Sequence, residues 1–188
     1  MRAALGAAVE GLRPATRGIA WVATENLHVT LKFLGGVEAA RLGDVLAALR
    51  QAAAGAVPFE LAVRGLGAFP SVTRPRVIWA GVVEGAAPAA ELAARVDVAL
   101  AGLGFPRETR PFAGHVTLGR ARAPRRDAGL AEALGVAATR DFGRVRVARL
   151  SLMRSDLAPR GARYTELGGA PLGAASDSPD IDGTPSPS

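Results

Sequence analysis

Apolar residues recur along the chain with two different periods. In residues 1–12, Leu5, Val9 and Leu12 fall at helical spacing, which predicts a short amphipathic helix. The same period returns in 38–54, where Leu42, Val45, Leu46 and Leu49 form one stripe. Pro88 can open a third helix that Gly104 stops, and a short fourth is expected near 127–134. Between these lie segments that read as strands: Gly18–Ala23, Leu27–Leu34, Phe59–Phe69, Arg76–Val83, Gly114–Arg120, Arg144–Ser151 with a possible extension to Met153, and Arg163–Leu167. Pro70-Ser71 and Pro75 mark the turn between two of them. Strands come mostly in pairs with helices between the pairs, which predicts an α+β fold with antiparallel sheets.

From Gly168 onward the pattern fades. The rest has too little apolar bulk to offset its ordering entropy, so residues 169–188 are expected to form a disordered tail and 1–168 a single two-lobed domain.

Composition narrows the chemistry. Hydrophobic residues make up 49% of the 188, many of them alanine, and aromatics only 5%, so the core must rest on Leu and Val. With no cysteine, disulfides, thiolate metal sites and Cys nucleophiles are excluded. No apolar run has the length of a membrane span and no signal-peptide pattern opens the chain, so a cytoplasmic location is expected. The net charge is +6, carried almost wholly by arginine, because Lys32 is the single lysine. That favours a polyanionic partner, and the planar arginine fork suits phosphate.

Both histidines of the chain sit in the same tetrapeptide, HVTL, at His28–Leu31 and His115–Leu118. In a strand successive side chains point to opposite faces. Leu27, Val29, Leu31 and Phe33 should then face the core, while His28, Thr30 and Lys32 line the other side. Likewise Val116 and Leu118 face inward, and His115 and Thr117 stand together on the opposite wall. Two such walls would present two imidazoles, which can act as acid and base near neutral pH, and two hydroxyls, which can donate to developing negative charge. The set suits in-line displacement at phosphorus and calls for no metal or cofactor. Two histidines without further ligands at metal spacing also leave a metal shell short.

Paired HxTx motifs resemble the signature of the 2H phosphoesterase superfamily. The flanking segments narrow this: Trp21–Gly35, Phe69–Val82, Arg110–Arg120 and Leu150–Leu167 are similar, in this order, to the RNA 2',3'-cyclic phosphodiesterases, also called 2'-5' RNA ligases. The resemblance implies two pseudo-symmetric lobes whose antiparallel sheets line a central cleft, with helices outside. It implies a monomeric, metal-independent enzyme that hydrolyses RNA 2',3'-cyclic phosphate ends to 2'-phosphomonoesters, possible substrates including tRNA fragments. By position His28 is the proton donor, His115 the proton acceptor, and Thr30 and Thr117 bind the phosphate. Phe33 and Arg120 stand where the family has an aromatic and an arginine for base stacking and phosphate contact. Strand alternation puts both on the face opposite their histidines, so reaching the cleft would need a bulge. Lys32 reads as a solvent-facing or phosphate-steering charge. The resemblance implies a strand ahead of the first helix, whereas the sequence starts at or inside that helix; the reading is either a misassigned start or an absent strand, and absence would expose a sheet edge. Ligation through a 2'-5' bond, another cyclic substrate, or a non-catalytic RNA-end-binding module are the rival readings.

Overall fold

A computed structural model describes residues 1–14, 16–123, 126–158 and 161–173. Among these residues four α-helices are present: α1 (Arg2–Leu12), α2 (Leu42–Ala54), α3 (Ala86–Ala101) and α4 (Ala128–Val136). The strands are β1 (Ile19–Trp21), β2 (Phe59–Phe69), β3 (Val77–Glu84), β4 (His115–Ala121), β5 (Asp141–Val147), β6 (Arg149–Ala158) and β7 (Gly161–Pro171). Five strands form one sheet in the order β1-β4-β3-β2-β5, and β6 and β7 pair in a second. These pairings are antiparallel, as expected for α+β. None of the described helices is long and apolar enough to cross a membrane.

Two separate cores explain the two lobes. Leu5, Val9 and Leu12 of α1 and Leu130 and Leu134 of α4 pack on the larger sheet through Val63, Ile78, Val116, Leu118 and Phe142. Val45 and Leu49 of α2 meet Leu92, Val96 and Leu100 of α3, and these cover Leu150 and Leu152 of β6. At ~25 cal/mol per Å² of apolar surface, each such buried Leu or Val contributes about 1.5–3 kcal/mol. The stripes read from the sequence are therefore the buried faces. The lobes are unequal, one built on five strands and the other on two.

Three expectations need correcting. Leu27–Leu34 is not a regular strand; among the described residues its ladder contact is an isolated antiparallel bridge from Val29 to Val116. The single strand expected over Arg144–Met153 is two strands in different sheets, with the break at Ala148. Period-2 alternation persists across such a corner, because it reports side-chain faces and not the partner strand. Finally, the ordered chain passes residue 168. Gly168, Gly169, Ala170 and Pro171 pair with Leu152, Ser151, Leu150 and Arg149, and Ala170 and Leu172 are buried in the second core. Residues 174–188 of the expected tail lie outside the described residues.

Candidate active site

β4 runs between β1 and β3; His115 and Thr117 are laddered to β3, and β1 joins the other edge further on, at Gly119–Ala121. Their face is set by their neighbours: Val116 and Leu118 are buried, and the partners of His115 and Thr117 across the ladder are Gly81 and Trp79. Trp79 in turn pairs with Gly67 on β2. A Cβ on Gly67 would sit 2.4 Å from the indole, so only glycine lets Trp79 lie flat along the sheet. The result is a level floor beside the histidine.

The Val29–Val116 bridge brings the first motif to this floor. In an antiparallel pair, one step either side of the bridge sets His28 opposite Thr117 and Thr30 opposite His115. Directly opposed residues on one face have Cβ atoms roughly 4.5–5.5 Å apart. The bridge thus sets the two HVTL segments side by side.

Each imidazole is oriented in the same way. His28 Nδ1 lies 2.7 Å from Asn26 O, and His115 Nδ1 lies 2.7 Å from Ala113 O. A carbonyl oxygen can only accept, so Nδ1 carries the proton and donates in both rings. Nε2 is left in each ring to give or take a proton. Each ring also meets an aromatic edge-on. The ring of Tyr164 on β7 is 4.9 Å from His28, and that of Phe69 on β2 is 5.3 Å from His115. Tyr164 belongs to the smaller sheet and Phe69 to the larger, so each sheet supplies an aromatic contact to one of the rings. Phe69 also packs on Trp79 at 5.2 Å.

The segment that carries His28 runs from one core to the other. Leu27 is buried in the first core and Val29 packs against it, whereas Leu31 and Leu34 pack against the second. Its hold on the second lobe is polar as well. Lys32 Nζ lies 2.6 Å from Asp97 Oδ1 on α3 and donates to Pro106 O at 2.6 Å. The lysine side chain is only 3% exposed, so it does not steer phosphate from solvent as the sequence suggested. Asp97 also accepts from Arg107 Nε at 2.5 Å and from the Glu108 amide at 3.1 Å. The Lys32 hydrogen bond, followed by these two, holds the Asp97 carboxyl down at about 2. One buried acid thereby ties the residues after His28 to the loop that leads into His115. Its sequence signal was available: Asp97 shares a helix stripe with Val96 and Leu100, where an acid needs a cation.

Arg120 reaches the His115 face by a bulge. Thr117 opposes Trp79 but Gly119 opposes Ile78, so one extra residue of β4 is accommodated there. Leu118 and Gly119 then both turn to the core, where a Cβ on Gly119 would lie 2.8 Å from the Trp21 ring. Arg120, opposite Val77, returns to the face of Thr117 and is exposed. Phe33 is 73% exposed and belongs to neither core, contrary to the alternation that set it inward. The aromatic contacts of the two histidines are made by Tyr164 and Phe69, not by Phe33.

Comparison with known proteins identifies the family. The LigT-like phosphoesterase family model matches residues 1–79 and 81–164. The chain belongs to the LigT-like phosphoesterase family. Among its relatives, a protein of Methanothermobacter thermautotrophicus named RNA 2',3'-cyclic phosphodiesterase is 37% identical over 156 residues, which are 83% of this chain and 84% of the relative. One of the same name from Aquifex aeolicus is 38% identical over 77% of each chain. Among similar solved structures, one from Thermus thermophilus superposes with a TM-score of 0.75 at 33% identity, over 92% of this chain and 91% of that one. The E. coli LigT complex with 3'-AMP gives 0.68 over 92% of each chain, and at 23% identity this is a likeness of fold. Within the family frame, sequence reasoning missed Tyr164, Phe69, Trp79 and Asp97. Tyr164 is the single tyrosine of the chain, which was a usable signal.

Proposed function

We propose that this LigT-like phosphoesterase hydrolyses RNA 2',3'-cyclic phosphate ends to 2'-phosphomonoesters. The observation that carries the reading is the twin arrangement of His28 and His115, each with Nδ1–H donated to the carbonyl two residues back. In the proposed reaction His115 Nε2 takes a proton from water as its oxygen attacks phosphorus. The P–O3' bond breaks, and His28 Nε2–H delivers a proton to the leaving 3' oxygen. Water thus supplies hydroxyl to the phosphorus, and the 2'-phosphate remains. The hydroxyls of Thr30 and Thr117 donate to the non-bridging oxygens as their charge grows. Arg120 adds a charge-assisted contact to phosphate, and exposed Phe33 offers a face to a base. Lobes of one chain hold all these groups, so the reading requires only a monomer. The relatives named RNA 2',3'-cyclic phosphodiesterase support the choice of substrate.

The test is turnover of a short RNA with a 2',3'-cyclic end, with EDTA present, and identification of the product by chromatography. The expected result is a 2'-phosphate end formed at an undiminished rate under chelation. A 3'-phosphate product, or loss of activity with EDTA, would overturn the proposed chemistry.

A further inference from the structure

The two imidazoles make the same hydrogen bond, but to carbonyls that are held in different ways. Ala113 O is placed by the larger sheet. The residue after it, Gly114, accepts from the Val82 amide at 3.1 Å, one step beyond the β3–β4 ladder. Asn26 lies in no strand. It closes a 3₁₀ turn, Thr24–Asn26, in which the Asn26 amide donates to Ala23 O at 2.9 Å and the Leu27 amide to Thr24 O at 3.3 Å. Hydrogen bonds of this kind have poor geometry, and one turn of them is weak alone. The carbonyl that orients His28 therefore needs a hold from outside the turn.

Helix α1 provides it. Gly6 is buried in that helix. A Cβ there would lie 2.6 Å from Thr24 Oγ1 and 2.9 Å from Thr24 Cγ2. Two of the three substituents on the threonine Cβ thus fill the space that a side chain at position 6 would take. Only one of the three is hydrogen, so no staggered rotation clears both places. Gly11 on the same helix differs, because a Cβ there would meet nothing within 4 Å. A second hold comes from Arg2, four residues before Gly6 and so on the same side of the helix. Its Nη2 donates to Leu27 O at 3.4 Å. A cation in the first turn opposes the helix dipole and no acid shares that turn, so the carbonyl gives Arg2 its reason to be there. Leu27, between the turn and His28, is buried with Leu5 and Val9 in the first core.

We infer that α1 orients His28: Gly6 and Arg2 are positioning residues that seat the 3₁₀ turn whose Asn26 carbonyl accepts from the ring. The catalytic consequence rests on the proposed function, in which His28 Nε2–H protonates the leaving oxygen. The orientation of the ring is a separate claim.

The experiment compares the native protein with Gly6→Ala, Gly6→Ala/Thr24→Ala and Gly11→Ala. Only two histidines are present, so long-range proton–nitrogen NMR at alkaline pH, where imidazole is neutral, reads the tautomer of each. Steady-state turnover of a cyclic-ended RNA octamer, and anisotropy of the octamer ending in a 2'-phosphate, are measured alongside. In Gly6→Ala the His28 ring should pass from the Nδ1–H form to a mixture while His115 keeps its form. Its kcat should fall by about tenfold, with KM and octamer binding within about twofold of native. Gly6→Ala/Thr24→Ala removes both γ atoms and leaves Thr24 Cβ as the nearest contact, at 3.4 Å, so it should restore tautomer and kcat together. Gly11→Ala should match the native protein in every readout. Arg2→Gln/Thr24→Gly withdraws both holds without crowding the helix, and should give the same His28 effect even where Gly6→Ala fails to fold. A native His28 tautomer in that variant, an equal change at His115, or no recovery in Gly6→Ala/Thr24→Ala would overturn the inference. A shifted His28 tautomer with native kcat would uphold it and fail the proposed reaction alone.

Discussion

His115 stands on a strand laddered to β3, whereas His28 stands on a segment with one backbone bridge. Around the rings themselves the two sites match, from the Nδ1 hydrogen bond at 2.7 Å to the edge-on aromatic. Equivalent local chemistry is thus mounted on unequal scaffolds. The ladder supplies position to His115. For His28 the same task falls to the two cores that hold Leu27 and Leu31 and to the buried Lys32–Asp97 pair. The difference teaches that the orientation of a reacting ring is decided within two residues of it, while its placement can come from distant tertiary contacts.

The most severe way to break the comparison is to remove each ring. General acid–base groups typically supply about 10²–10⁴-fold each. His28→Ala and His115→Ala should both lower kcat by a factor in that range, with octamer binding within a few-fold of native. Steady-state kinetics and anisotropy on the same preparations check this. A loss under tenfold in either variant would show that the rings are not partners.

Next comes the buried pair, which holds the His28 segment directly and His115 only through the loop ahead of it. Removing the acid in Asp97→Ala leaves Lys32 charged and buried, and breaking such a pair costs about 3–5 kcal/mol. Urea denaturation should show that loss. The combined variant Lys32→Met/Asp97→Leu should recover most of the stability, because apolar replacement of a buried pair is often neutral or better. It should not recover kcat if the pair positions the His28 segment, since no apolar contact reproduces the bonds to Pro106 O and the Glu108 amide. Full recovery of both would reduce the pair to a structural filler.

The pair also has a pH signature. Asp97 is lowered from 3.8 to about 2 in the folded chain, so the unfolded state binds its proton more readily. Its contribution is present above the unfolded value and is lost as pH falls through the folded one. Denaturation midpoints taken from pH 5 down to pH 2 should therefore fall less steeply in Asp97→Asn than in the native protein.

Much of this was legible before any fold was known. Repetition of HVTL singled out the pair proposed to react, and the stripes at Leu5–Leu12 and Leu42–Leu49 marked two helices with their buried faces. Alternation failed where strand partners, and not side-chain faces, were at issue. It carried Arg144–Met153 across the corner at Ala148, and it gave Leu27–Leu34 a regular ladder. The bulge at Gly119 was foreseeable as a need of Arg120 but not as a place, since its cause is the packing of Trp21 and Ile19 against that glycine. Lys32 misled because a lone lysine beside a histidine looks like a solvent-facing charge. Its partner is 65 residues away, on a helix face that only the fold brings near.

The smallest effect, and the finest test of the matched surroundings, lies in the two aromatics. An edge-on ring contact is worth about 0.5–1.5 kcal/mol beyond simple burial. Phe69→Leu and Tyr164→Leu keep apolar bulk but remove that contact, and each should lower kcat by roughly two- to tenfold. The scaffolds predict an inequality within that range. Phe69 is itself braced by Trp79, and His115 by its ladder, so Phe69→Leu should fall at the mild end. Tyr164 stands beside the ring with one backbone bridge, so its loss should cost more. Tyr164→Phe retains the ring and should stay near native, which separates edge contact from any use of the hydroxyl. Single-turnover rates for the three variants decide the order, and a larger loss in Phe69→Leu than in Tyr164→Leu would reject the view that His28 depends more on its neighbours.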